Sequence, residues 1–164
     1  MHYELVTVIR PNDRIWMTQK SRIKEGNQVL SISPSPNFQA MLQKEAVQGI
    51  NILDQVTQRS HDPETFLFFN QVPTAYCTEV YMNEDRTISL ITDGDEIGKV
   101  SLYPMTRRHV KEVRYFYPDG TIDFIEEYAA DGKLFSTIYY CNDQVQEIAF
   151  FNDQQQSILN YYFY

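Results

Sequence analysis

The last third of the chain repeats one unit. Tyr117-Pro118-Asp119-Gly120 is followed by Tyr128-Ala129-Ala130-Asp131-Gly132, then by Tyr140-Cys141-Asn142-Asp143 and Phe151-Asn152-Asp153. The aspartates stand 12, 12 and 10 residues apart. Asp-Gly supplies the positive φ values of a tight hairpin turn, and Asn-Asp is a weaker substitute. Between two such turns lies one strand of about five to seven residues. Consecutive hairpins lay neighbouring antiparallel strands side by side, as a meander. A repeat this short has no room for covering helices. Aromatics such as Tyr115 and Phe116, or Tyr161 to Tyr164, fall on both faces. A single-layer sheet with cross-strand aromatic ladders fits them. A closed barrel or half-sandwich is the alternative.

Strand signals extend upstream. Ala75 to Met82 turns at Asn83-Glu84-Asp85, and Thr87 to Thr92 turns at Asp93-Gly94. Lys99 to Tyr103 and His109 to Tyr117 follow. Residues 61–164 are therefore expected to form an extended antiparallel meander. Residues 1–60 read as a separate region of strands and helix. His2 to Ile9, Arg14 to Gln19 and Gln28 to Ser33 are expected strands. Ser35 is expected to cap a helix with Pro36 at its first position. Phe38, Met41, Leu42, Ala46, Ile50 and Leu53 then mark one apolar stripe, which predicts a helix from Asn37 to about Gln58. The expected class is α+β, mainly β.

With 164 residues the chain is about one domain in length and can bury a core without staples. Its formal net charge of −8 argues against nonspecific nucleic-acid binding. Cys77 and Cys141 make neither a disulfide framework nor a metal site. His2, His61 and His109 have no ligand spacing. No signal peptide is visible, and no run approaches the roughly 20 apolar residues of a membrane helix. A cytoplasmic location is expected.

Catalytic constellations are missing from the sequence. Asp93-Gly94-Asp95-Glu96 lacks the alternating oxygens of a calcium loop and reads as a hairpin turn. Glu126 and Glu127 are adjacent on a strand and face opposite sides, so they cannot share one bond-cleaving site. There is no nucleophile elbow, phosphate loop or zinc pattern. No cofactor and no metal are expected, and neither is enzymatic activity. The one basic cluster runs from Arg107 and Arg108 through Lys111 to Arg114. It reads either as a seat for a phosphate or acidic partner or as a solvated strand entry, the second being favoured. Exposed aromatics and Gln-rich strands suit a binding surface. The candidate binding residues are Arg107, Arg108, Arg114, Tyr115, Tyr117, Tyr128, Tyr139 and Tyr161. Open sheet edges add the expectation of a homodimer or of partner docking at Tyr161 to Tyr164.

Phe68-Phe69-Asn70-Gln71-Val72-Pro73, followed by strands and aromatic-Asp-Gly repeats, resembles bacterial glycosyltransferase-like proteins that carry an extended β-sheet domain. Within that family the likeness is strongest to the chaperone subunit of the accessory-Sec O-GlcNAc transferase. It covers about Phe66 to Tyr164, and the first 60 residues do not match the family's opening strand and helix. The resemblance implies a sheet inserted in a glycosyltransferase fold of two Rossmann domains, which builds subunit contacts and helps hold a Ser-rich acceptor polypeptide. It places the sugar-nucleotide site in the Rossmann domains, so this chain would not transfer sugar alone. The implied role is a non-catalytic acceptor-protein- or partner-binding domain of a bacterial protein O-glycosyltransferase complex. Its protein partner would be a glycosyltransferase subunit or a Ser/Thr-rich acceptor. The alternative that the repeats alone suggest is a free-standing β-repeat binder of the immunity or antitoxin kind.

Overall fold

A computed structural model describes residues 2–75 and 77–164. The chain divides into two compact units, one ending at His61 and one running from Asp62 to Tyr164.

The first unit is a small parallel sheet with helical crossovers. Its strands are β1 (Tyr3–Leu5), β2 (Gln28–Ser31) and β3 (Gly49–Asn51), in the order β1-β2-β3, both pairs parallel. Its helices are α1 (Arg14–Lys24), α2 (Phe38–Glu45) and α3 (Ile52–Val56). Parallel neighbours need a crossover, and α1 and α2 provide it. The core gathers Val6, Ile9, Trp16, Ile23, Val29, Phe38 and Leu42.

Three expectations for this unit are corrected. Arg14 to Gln19 is not a strand but the first half of α1. Asp13 caps it, its Oδ1 accepting from the Ile15 amide at 3.0 Å. Arg22 and Lys24 sit in the last turn, where the helix dipole favours cations. The buried pair Trp16 and Ile23 is seven residues apart, two helical turns, and a six-residue window cannot reveal that period. The long helix from Asn37 to Gln58 is also broken. Ala46 adopts the left-handed conformation (φ 54°), and its amide and that of Val47 bond back to Gln43 and Leu42. Gly49 then opens β3 rather than weakening a helix. A Cβ there would lie 2.5 Å from that of Val29, so only glycine lets the two strands meet. Asn51 ends β3 and caps α3 through Leu53. The cap of α2 is Asn37, without a side-chain bond, while Ser35 contributes its backbone carbonyl to Phe38.

The second unit is one eight-stranded antiparallel sheet. Its strands are β4 (Glu79–Met82), β5 (Ile88–Thr92), β6 (Asp95–Leu102), β7 (Val110–Phe116), β8 (Ile122–Tyr128), β9 (Leu134–Cys141), β10 (Gln144–Phe151) and β11 (Ser157–Tyr162). They lie in strict sequence order, so the sheet is the expected meander and stays open, with β4 and β11 as its edges. The class is α+β and mainly β. Asp93-Gly94 and Asn142-Asp143 make two-residue turns with positive φ at both positions. The Asp119 and Asp131 carboxylates accept from amides two residues on, which fixes each turn.

The apolar run from Phe66 to Val72 is a strap across this sheet. The Leu67 carbonyl accepts from the Val110 amide at 2.8 Å, and Phe68 bridges to His109. A single 3₁₀ turn (Phe69–Gln71) follows, pinned by the Phe68 amide donating to Gln71 Oε1. Val72 is buried in the sheet core with Ile88, Leu90, Val100, Val110, Val113 and Tyr128.

Candidate interaction surface

Strand register sorts the side chains onto two faces. Gly98, Tyr115, Phe124, Tyr139, Glu147 and Tyr162 oppose one another in turn from β6 to β11, one residue per strand. They form a row across one face. The Tyr115 and Phe124 rings stack with centroids 4.5 Å apart, and Phe124 tilts toward Tyr139 at 6.1 Å. Such ring pairs contribute beyond their buried area. At Gly98 a Cβ would fall 3.3 Å from Leu90 Cδ1 and 3.6 Å from Tyr115 Cδ1, so both side chains lie over the glycine. Burial falls along the row. Tyr115 is partly buried beside the core, Tyr139 is 40% exposed and Tyr162 is 54% exposed.

Below that row a carboxylate gathers two phenols. Tyr128 donates to Glu126 Oε2 at 2.7 Å, and Tyr115 reaches the same oxygen at 3.4 Å. Burial pushes both phenols far above their usual value, and the Glu126 charge adds to it. Tyr103, the residue after β6, donates to the Tyr128 carbonyl at 2.6 Å and ties this cluster to the end of that strand.

The predicted site residues are dispersed over several places. Tyr115 and Tyr139 share the aromatic row. Arg114 points to the opposite face, where its Nε pairs with Glu112 at 2.9 Å. Tyr161 lies on that opposite face too, 61% exposed on the edge strand. Tyr117 stands exposed in the turn after β7, where its bond to Asp123 holds the phenol above its usual value. Tyr128 is 7% exposed and belongs to the core. Arg107 and Arg108 line a hollow with Phe68, Phe69, Met82 and Leu102. Beside them His109 stacks on Phe66 at 4.5 Å, and its pKa is lowered by burial and then by Arg108.

Three contributors were not singled out by sequence reasoning. Phe124 joins Tyr115 to Tyr139, and counting register from the Asp119-Gly120 turn would have found it. Arg86 lines a hollow with Met82, Leu102 and Arg107, and its only signal in the sequence is that it stands where other aspartate turns have glycine. The β4 edge exposes Val80, Tyr81 and Met82. Among the described residues no group of His, Cys, Asp or Glu is arranged to hold a metal ion, and no helix is long and apolar enough to cross a membrane.

No known family model matches the chain, and neither does any curated protein sequence. Solved structures do match in fold. The chain is similar to one from the accessory secretory protein 1, 2 and 3 structure of Streptococcus pneumoniae (TM-score 0.76, 16% identity, 95% of this chain, 31% of that one). It is similar to a chain of the Glycosylation Associate Protein complex from Streptococcus agalactiae (0.82, 14%, 99% and 37%). A third is a chain of the GtfA/B complex bound to UDP and GlcNAc (0.74, 18%, 94% and 33%). The chain thus spans about a third of the length of the solved chains it matches. At these identities the likeness is one of fold. It extends over the first 60 residues as well, where the sequence had shown no match. The fold of this chain is the one found in these accessory-Sec glycosylation-complex proteins.

Proposed function

We propose that this chain is a non-catalytic, protein-binding part of a bacterial protein O-glycosyltransferase complex, working in the cytoplasm. The observation that carries the reading is the row Tyr115–Phe124–Tyr139, which leaves the core and becomes exposed at Tyr139, with Tyr162 exposed on the same face beyond Glu147. Aromatic side chains offer large contact area at low entropic cost, and they are enriched where proteins meet. The fold likeness to subunits of glycosylation complexes supports the choice of partner: a glycosyltransferase subunit or a Ser/Thr-rich acceptor polypeptide. The edges support a second contact. Ser157 to Tyr162 carries no charged residue, and Ile158, Tyr161 and Tyr162 are exposed. An open edge of that composition accepts another strand, from a partner or from a second copy.

The test is chemical-shift mapping of the full chain against a Ser/Thr-rich acceptor peptide and against the glycosyltransferase subunit. Shifts along Tyr115, Phe124, Tyr139 and β11 are expected. A spectrum unchanged over residues 109–164 with both partners would sink the reading.

A further inference from the structure

Four turns of the sheet are built alike. In each, the first residue's amide bonds to the carbonyl four residues on, and the fourth residue's amide returns to the first residue's carbonyl. The pairs are Asn83 with Thr87, Tyr117 with Thr121, Ala129 with Lys133 and Asn152 with Gln156. The fourth residue is always left-handed: Arg86 (φ 69°), Gly120 (85°), Gly132 (82°) and Gln155 (60°). Glycine adopts that conformation freely, and arginine does so at a cost. Nothing in the turn's own bonding calls for arginine. The neighbouring turn repeats the anomaly, because Arg107 is left-handed as well (φ 54°). Gln155 takes the same place in its turn without being glycine, so the backbone alone does not single the arginines out; the position of their side chains does.

Both arginines border one groove. A hollow of about 520 Å³ is lined by Met82, Arg86, Leu102, Pro104 and Arg107. Through Met82, Leu102 and Arg107 it runs on into a second hollow of about 400 Å³, which adds Phe68, Phe69 and Arg108. Met82, Leu102, Pro104, Phe68 and Phe69 supply the groove's apolar lining, with Thr87, Ser101 and Asn70 among them, and its cations are the three arginines. Among the described residues the guanidinium groups of Arg86, Arg107 and Arg108 make no hydrogen bond or ion pair, although the chain carries 22 carboxylates against 14 Lys and Arg. The one carboxylate in the groove, Asp85, is turned into its own hairpin, accepting from the Thr87 amide and hydroxyl. Three cations therefore face one inward-turned anion.

We propose that this groove docks an acidic, extended segment of a partner protein, its carboxylates on Arg86, Arg107 and Arg108 and an apolar side chain on Met82 and Leu102. Two hollows in series with this apolar lining suit a peptide; a small anion would leave the lining unused. Guanidiniums favour carboxylates through paired N–H donors. The inference rests on the reading of the sheet as a protein-binding platform and adds a second, chemically distinct site to it.

The test titrates the full chain with a fluorescein-labelled Glu-Leu-Glu-Leu-Glu-Leu peptide, followed by anisotropy and by NMR. A Gln-for-Glu analogue and inorganic phosphate serve as comparisons. Binding that weakens with salt is expected, with shifts over residues 82–87 and 102–108. The Gln analogue should bind about tenfold more weakly. In the double variant Arg86→Gly/Arg107→Gly both changes relieve a left-handed backbone, so the thermal midpoint should hold or rise while affinity drops about tenfold. Equal binding by the double variant or by the Gln analogue overturns the proposal. So does full displacement by millimolar phosphate, which would mark a simple anion site, and so does no peptide binding at all. Shifts confined to Tyr115, Phe124 and Tyr139 would leave the proposed function standing and remove this groove from it.

Discussion

Gly132 lies directly beneath Leu67. A Cβ on Gly132 would sit 2.4 Å from the Leu67 amide nitrogen and 2.7 Å from the Phe66 carbonyl carbon. The strap from Phe66 to Val72 therefore crosses the Asp131-Gly132 turn at backbone contact. Asp131 holds it there, accepting from the Asp62 amide at 3.2 Å and, through its carbonyl, from the Thr65 hydroxyl at 3.0 Å.

This relationship separates two glycines that look the same in sequence. Gly120 and Gly132 both follow aspartate and both have positive φ, but around Gly120 nothing lies within 4 Å of an added Cβ. Gly120→Ala should cost about 1 kcal/mol, the left-handed penalty alone. Gly132→Ala adds an overlap with backbone that cannot swing aside, and should cost about 2–4 kcal/mol. Urea denaturation of the two variants, read on the sheet's circular dichroism, checks the difference. Equal losses would mean that the strap yields.

Acid should weaken the first unit through Glu45. This buried carboxylate accepts from Trp16 Nε1 at 2.9 Å and from Lys20 Nζ at 2.8 Å. The bond from Lys20, then that from Trp16, holds its pKa below the usual carboxylate value. A depressed pKa contributes stability that is present above the unfolded value, about 4.3, and lost as pH falls through the folded one. Trp16 is the only tryptophan, so its fluorescence reports the loss. Glu45→Gln should cost about 1–3 kcal/mol at neutral pH and flatten the acid limb.

The sheet should respond at the opposite end of the pH scale. Tyr115 and Tyr128 have phenols raised by burial and by Glu126. Their contribution is complete below the unfolded tyrosine value, near 10, and falls as pH climbs beyond it. Denaturation midpoints should therefore drop above about pH 10. Tyr128→Phe should cost about 1–3 kcal/mol at neutral pH and lessen the alkaline slope.

Self-association through β11 has a direct check. Ile158→Lys places a charge on the open edge, a device that blocks strand addition. Sedimentation of the native chain should show concentration-dependent association that the variant lacks. A native chain that stays monomeric at high concentration would count against edge pairing between copies.

The repeats made the meander legible because each turn carries its own local signal. Asp93-Gly94, Asp119-Gly120 and Asp131-Gly132 set strand boundaries with no help from distant residues. The strap was visible only as an apolar run, since its role depends on Leu67 meeting Val110, a contact with no local signature. In the first unit Trp16 and Ile23 carried the helical period, but β-branched and aromatic residues near Arg14 favoured a strand reading. Ala46 gave no sign that it would turn left-handed. Its conformation follows from Gly49 having to reach Val29, which is a tertiary demand. Of the candidate aromatics Tyr117, Tyr139 and Tyr161 are exposed, whereas Tyr128 is buried and Tyr115 partly so; Tyr115 and Arg114, adjacent on one strand, face apart.

Strict sequence order has a kinetic and mechanical consequence. Each strand of the sheet bonds only to its predecessor and successor in the chain, so hairpins can zip one after another with short loops to close. Stability is then closer to a sum of neighbour terms than to one indivisible transition. The terminal strands, with a single neighbour each, should open first and re-form fastest. A visiting strand would thus meet β4 or β11 as a part of the sheet that already exchanges, and could take up pairing there without disturbing the middle.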